Sequence, residues 1–213
     1  VDTHADLLRQ SASNVGNDHR LGGFEAPPAI ISIFLGEQLE DVVNQLVETG
    51  KADSLKEGGV LRTGVSTLPD FEKDATDRNR TSPFAFTGNK FEFRMVGSED
   101  SIGSPNTTLN AIVAEAFCEA ADRLEQAKDF DMAVHDLIKE YMTKHQRIIF
   151  NGNGYAPEWT KEAERRGLPN IPSMVEAVDT LTTEKAIRLF EKFGIFTEAE
   201  LRSRAEVLYE TYA

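Results

Sequence analysis

Along most of the chain apolar side chains recur every three or four positions with polar residues between them, the pattern of helices that each bury one stripe. Ala5, Leu8 and Ala12 place a helix over residues 1–13. Leu39, Val42, Val43 and Leu46 place another over Glu37–Glu48, with Gly50 as its stop. Ser104 and Pro105 have the chemistry of an N-cap and a first helical residue. The helix they open runs to about Lys128, with Leu109, Ile112, Val113, Ala116, Phe117, Ala120 and Leu124 as its inner stripe. Ala133, Val134, Leu137, Ile138, Tyr141 and Met142 carry the same period through Asp131–Phe150. The turn cluster Asn151-Gly152-Asn153-Gly154 is the candidate boundary between residues 1–150 and residues 151–213. Beyond it the spacing predicts helices over Pro157–Arg166, Ser173–Leu181, Glu184–Phe193 and Glu198–Tyr212. Thr183 and Thr197 are their caps, Gly194 is a terminator, and Trp159, Phe190, Phe193 and Phe196 read as core.

Two stretches break the helical period. Ala29–Leu35 is a β-branched apolar run, a buried strand or the start of a helix. In Lys90-Phe91-Glu92-Phe93-Arg94 the period is two: the phenylalanines point one way and the charges the other, as on a strand with one apolar face. Asn14–Gly23 reads as a polar, glycine-rich loop and Gly97–Ser104 as a turn-rich link. Lys51–Thr76 has no period and reads as a long excursion with one short strand at Val60–Leu61. The fold class that follows is α+β, with a partial antiparallel sheet and a mostly helical C-terminal region.

The 213 residues carry 23 Lys and Arg against 36 Asp and Glu, a net charge of −13. Such a surface repels nucleic acid and anionic membrane, so clustered arginines mark a local pocket rather than a basic face. No apolar run approaches the roughly 20 residues that cross a bilayer, which with the absence of a visible signal peptide implies a cytoplasmic protein. The single cysteine, Cys118, excludes an intramolecular disulfide and falls in an apolar helical stretch, where a buried thiol is expected. The chain opens at Val1 inside what reads as the tail of a helix, so it is expected to be a fragment.

His4, His19, His135 and His145 show no metal-binding spacing, and neither a nucleophile elbow nor a phosphate loop is present. What remains is a set of charges: Arg20 and Glu25 in the glycine-rich loop, Arg78 and Arg80 before the alternating strand, and Lys90, Glu92 and Arg94 on it. Guanidinium groups gathered around carboxylates suit phosphates, carboxylates and a divalent cation, and equally suit structural ion pairs.

Three pieces of this set occur in a telling order. Asn17-Asp18-His19-Arg20-Leu21-Gly22-Gly23-Phe24-Glu25-Ala26-Pro27, then Arg78-Asn79-Arg80-Thr81-Ser82, then Lys90-Phe91-Glu92-Phe93-Arg94 resemble glutamine synthetase. The variants Glu-Ala-Pro-Pro-Ala-Ile and Thr-Gly-Asn-Lys-Phe-Glu-Phe-Arg are similar to the large, type III form. The resemblance implies the C-terminal part of a glutamine synthetase/guanido kinase-like catalytic domain. It further implies an enzyme in which ATP phosphorylates the side-chain carboxylate of glutamate and ammonia displaces the phosphate, with Mg²⁺ or Mn²⁺ as metal. Arg20 would hold the glutamate carboxylate, and Glu25 would sit on a mobile flap and help deprotonate ammonium. Arg80 would contact the transferring phosphate, and Lys90 would stand near the nucleotide. Glu92 would ligate the metal, and Arg94 would bind glutamate or its acyl phosphate. An assembly into a large ring homo-oligomer is implied for the full-length protein, with neither nucleic acid nor membrane as partner. Phe84-Ala85-Phe86 stands where shorter family members carry another arginine, and the family's other metal carboxylates are absent, so the isolated chain is expected to be inactive. A ligase joining glutamate to another amine, or a non-catalytic assembly module, are the competing interpretations.

Overall fold

The first helix is the most deeply buried element. In the computed structural model, which describes residues 1–23, 25–54 and 82–213 together with the backbone of 60–61 and 71–72, a 3-10 turn at Asp2–His4 leads into α1 (Ala5–Ser11). Leu7 and Leu8 leave α1 on different sides and both are fully buried. Leu8 joins Ala5, Ile30, Ile31, Met95, Ile149 and Trp159 in one cluster, whereas Leu7 joins Ile112, Leu181, Leu189, Phe190 and Leu201 in a second. One short helix therefore ties two cores together, each buried leucine contributing on the order of 2 kcal/mol of transfer free energy.

Polar groups on α1 are buried too: Ser11 Oγ donates to the Leu8 carbonyl at 2.7 Å, and Arg9 is paired several times over. Arg9, 1% exposed, donates to the carbonyls of Ile171 (2.8 Å) and Pro172 (3.2 Å) and to Ser13 Oγ (3.3 Å), and lies 3.7 Å from Asp18. Asp18 in turn accepts from the Met174 amide at 2.8 and 2.9 Å. Asp18 belongs to α2 (Val15–Arg20), a helix inside the stretch whose composition reads as loop. Asn14 caps it, accepting from the Gly16 amide at 2.7 Å. Its one buried side chain is Asn17, so no apolar stripe betrays the helix.

The apolar run from Ala29 onward forms β1 only at Ile33–Phe34. Ile30 instead bridges Asn170, and Ile33 bridges Ile149. α3 (Glu37–Thr49) follows and stops where expected, at Gly50 with φ +78°. β2 (Val60–Leu61) and β3 (Phe71–Glu72) form an antiparallel pair, so the short strand expected at 60–61 is present. The rest of the excursion beyond Ser54 lies outside the described residues. β4 (Phe84–Phe86) and β5 (Phe91–Phe93) make a hairpin.

The larger sheet runs β1-β4-β5, with β1 parallel to β4 and β4 antiparallel to β5. The sheet is thus mixed, not antiparallel as expected. α3 lies in the connection between β1 and β4, and a parallel neighbour requires such a crossover.

α4 (Gly103–Leu124) departs from expectation in its ends and in what it buries. It begins one residue before Ser104, and Ile102 occupies the cap position without a side-chain hydrogen bond. Pro105, Thr108, Ala111 and Ile112 are buried, but Val113 and Phe117 of the expected inner stripe are exposed, Phe117 at 71%. Cys118 is exposed as well, not buried. The cause is coverage: α1 and α8 lie against α4, and α5 pairs alongside it through a bidentate Arg123–Glu140 contact, while the face carrying Phe117 meets solvent. α5 (Phe130–His145) is capped by Asp129 and ends earlier than its apolar period, giving way to a 3-10 turn at Gln146–Ile148. α6 (Pro157–Arg165), α7 (Met174–Val178), α8 (Glu184–Lys192) and α9 (Glu198–Tyr212) match the expected helices. Thr183 and Thr197 cap the last two, Thr197 with Glu200 in a capping box. Trp159 stacks on Phe150 at 3.8 Å.

Candidate functional site

The β4–β5 hairpin sorts its side chains as the two-residue period requires. Register pairs Phe84 with Phe93, Ala85 with Glu92 and Phe86 with Phe91. The phenylalanines lie on one face, Phe84 5.4 Å from Phe91 and 6.2 Å from Phe93, and Phe86 5.2 Å from Phe91. On the other face Glu92 is flanked by Lys90 at 3.4 Å and Arg94 at 3.0 Å. Arg94 donates through both Nε and Nη2 to Glu92 Oε2. Arg94, with Lys90 behind it, holds the Glu92 carboxyl below its ordinary pKa range.

Immediately after β5 the chain meets α2. Met95, 2% exposed, is anchored in the core, and its carbonyl receives the Asn17 amide (3.2 Å) and Arg20 Nη2. Asn17 Oδ1 accepts from Arg20 Nε at 2.9 Å, while its Nδ2 also donates to the Ala12 carbonyl at 2.6 Å. Asn17 therefore aims Arg20 at the end of the strand that carries Glu92 and Arg94. From Leu21 the chain turns through Gly22 at φ +78°, whose amide donates to the carbonyls of Ala26 (3.2 Å) and Pro27 (3.0 Å). This closes a short loop with Glu25 exposed on it.

Arg20, Glu25, Glu92 and Arg94 line one open cavity of about 780 Å³, together with Pro27, Pro28, Met95 and Tyr155. Lys90 is not among the lining residues; its side chain, 63% exposed, reaches the cavity only through its pairing with Glu92 at 3.4 Å. Arg78 and Arg80 lie outside the described residues. Four of the six charges singled out as site residues, separated by up to 74 positions in sequence, thus come to one hollow. Ion pairing and cavity lining are not alternatives here, because the Glu92–Arg94 pair forms part of the wall.

Two arginines and two carboxylates around one opening suit a ligand with both anionic and cationic ends; none of these four is a conventional covalent nucleophile held by a base. A divalent ion fits only in part. Mg²⁺ takes six oxygens, usually one or two carboxylates with phosphate and water supplying the rest. Among the described residues no group of three His, Cys, Asp or Glu side chains converges. Glu92 offers one oxygen ligand and already serves two cations. The chain's described residues do not by themselves make a metal site.

Two contributors escaped the sequence reading. Asn17 lies three residues before Arg20, a spacing that brings side chains together only once the segment is known to be helical. Tyr155 reaches the cavity from the far side of the chain, its hydroxyl donating to the Glu25 carbonyl at 2.9 Å. No local pattern announces that contact.

Comparison with known proteins agrees with the resemblance in the motifs. Residues 133–213 match the glutamine synthetase C-terminal domain. Over 215 aligned residues, all of this chain and 29% of the relative, it is 46% identical to the type-3 glutamine synthetase of Dictyostelium discoideum. It is 42% identical, again over its whole length, to glutamine synthetases of Butyrivibrio fibrisolvens and Bacteroides fragilis, covering 30% of each. The chain spans about three tenths of the length of the curated relatives it matches. Every residue of the chain lies inside those alignments, so over its whole length it is similar to one part of these glutamine synthetases, and residues 133–213 match that family's C-terminal domain.

Proposed function

We propose that this chain supplies the glutamate- and phosphate-binding wall of an ATP-dependent glutamate–ammonia ligase. Support comes above all from one observation: Arg20, Glu25, Glu92 and Arg94 line the same cavity. Joining ammonia to a carboxylate proceeds by phosphorylating the carboxylate and displacing the phosphate, and both steps gather negative charge that guanidinium groups stabilise. Arg20, fixed by Asn17 and the Met95 carbonyl, binds the glutamate carboxylate. Arg94 lies beside Glu92 and faces the acyl phosphate end. Glu25, exposed on its loop, attracts ammonium and takes its proton. Lys90 and Arg80 contact the nucleotide's phosphates. Glu92 would supply a single oxygen ligand to Mg²⁺ or Mn²⁺, with the other ligands coming from outside the described residues, and such an ion would neutralise phosphate charge. Residues 151–213 form the helical C-terminal region of the same unit. The full-length protein works in the cytoplasm as a ring of identical subunits, and the isolated chain is inactive.

The test is ATP- and glutamate-dependent incorporation of ammonia by the full-length protein. Glu92→Ala removes one preorganised partner and lowers turnover about a hundredfold, the effect of roughly 3 kcal/mol at the transition state. Unchanged turnover with altered assembly would show that the chain serves as an assembly module instead.

A further inference from the structure

The loop that carries Glu25 is closed at its base by Gly22, whose amide binds the Ala26 and Pro27 carbonyls. Nothing in those bonds fixes how far the loop leans over the cavity. Glu25 itself is exposed, and a carboxylate on an exposed loop samples many positions. One further contact reaches the loop: Tyr155, which also lines the cavity, donates through Oη to the Glu25 carbonyl at 2.9 Å across 130 positions of sequence.

Tyr155 is mounted rigidly. Its own amide donates to Asn153 Oδ1 at 2.9 Å, and the Ala156 amide binds the Asn153 carbonyl at 3.1 Å, closing a turn. Before the turn, the Asn151 side chain accepts from the amides of Leu35 (2.8 Å) and Gly36 (3.0 Å) and donates to Glu40 at 2.8 Å. After it, α6 is pinned by Trp159, 2% exposed and stacked on Phe150. A post held at both ends thus meets a loop held at its base.

We propose that Tyr155 is the positioning residue of the Glu25 loop: its hydroxyl latches the Glu25 peptide and so fixes where that carboxylate stands over the cavity. The Tyr155 hydroxyl is engaged by the Glu25 backbone, so in this reading it acts on the amine side of the reaction through Glu25. The inference rests on the role proposed for Glu25 above. Glutamate binding depends on Arg20 and Arg94, which Tyr155 does not hold, and is left alone. The latch therefore predicts a split among kinetic constants that general loosening of the fold would not give.

The experiment uses Tyr155→Phe in the full-length protein, which keeps the ring and removes only the hydroxyl. The KM for ammonium rises about three- to tenfold, as loss of one hydrogen bond allows, while the KM for glutamate and kcat at saturating ammonium stay within about twofold. Hydrogen exchange at the Glu25 and Ala26 amides quickens by a similar factor. In a Glu25→Gln background the same substitution no longer moves the ammonium KM. Unchanged exchange at Glu25 and Ala26 would overturn the latch, as would a rise in the glutamate KM equal to that for ammonium. If Glu25→Gln alone leaves ammonium use untouched, the proposed role of Glu25 fails, and exchange in Tyr155→Phe still decides whether the hydroxyl holds the loop.

Discussion

Asn17 is 2% exposed and makes three side-chain hydrogen bonds, each to a different part of the site's support: the Ala12 carbonyl after α1, the Met95 carbonyl after β5, and Arg20. Asn17→Ala removes both donations to buried carbonyls. Each net loss is about 1 kcal/mol, more where the acceptor stays dry. The contact with half-buried Arg20 adds less, because water can replace it, and the truncated volume adds about 1 kcal/mol. The sum is about 2–4 kcal/mol, a large share of an ordinary domain's 5–15 kcal/mol. Asn17→Asp keeps the volume and the bond from Arg20 but places a carboxylate oxygen where an amide donor stood, facing two carbonyl oxygens. It is more damaging than alanine at pH 7, and the excess shrinks as acid protonates the new carboxyl and restores a donor. Native-state hydrogen exchange over residues 12–20 of the full-length protein reads the local opening free energy directly. A drop under about 0.5 kcal/mol for Asn17→Ala, or an aspartate no worse than alanine at pH 7, would refute this account of how Arg20 is aimed.

Arg165, then Arg166, hold the Glu162 carboxyl down at about 2 from its ordinary 4.5. A depressed carboxyl stabilises the fold above its unfolded value and loses that contribution as pH falls from 4.5 towards 2. The melting-temperature advantage of the native protein over Glu162→Gln is therefore full at pH 7 and vanishes across that acid window, and an advantage that persists at pH 2 would contradict the ion pair. Trp159→Ala empties a stacked, buried site and costs about 3–5 kcal/mol in denaturant unfolding. Phe117→Ser, on the exposed face of α4, stays within about 0.5 kcal/mol. A cost above 2 kcal/mol for Phe117→Ser would mean that this face is covered.

Periodicity located the helices well wherever a helix buries an apolar stripe, as α8 and α9 do. It failed at α2, whose buried residue is an asparagine, and it overreached on α4, where Val113 and Phe117 keep helical spacing without a partner to cover them. A stripe records what could be buried, and only packing decides what is. The site was legible in part: alternation in Lys90–Arg94 gave the two faces of β5, and the charges Arg20, Glu25, Glu92 and Arg94 were identified by type. What joins them was not legible. The Met95 carbonyl, the Asn17 amide and the Tyr155 hydroxyl are contacts across 75, 78 and 130 positions, made by backbone or by residues with no distinctive local pattern. The parallel pairing of β1 with β4 is hidden for the same reason, since register over long separations leaves no periodic trace.

In the proposed function Arg20 and Arg94, which line one cavity, act on one ligand. Calorimetric titration of the full-length protein with glutamate tests it most directly, comparing Arg20→Ala and Arg94→Ala with Arg123→Ala, which removes an exposed charge paired with Glu140 on the α4–α5 surface. Loss of a charge-assisted contact of about 1.5–3 kcal/mol predicts affinity weakened about ten- to a hundredfold in each of the first two, with Arg123→Ala unchanged. Equal affinity in all three would contradict the claim.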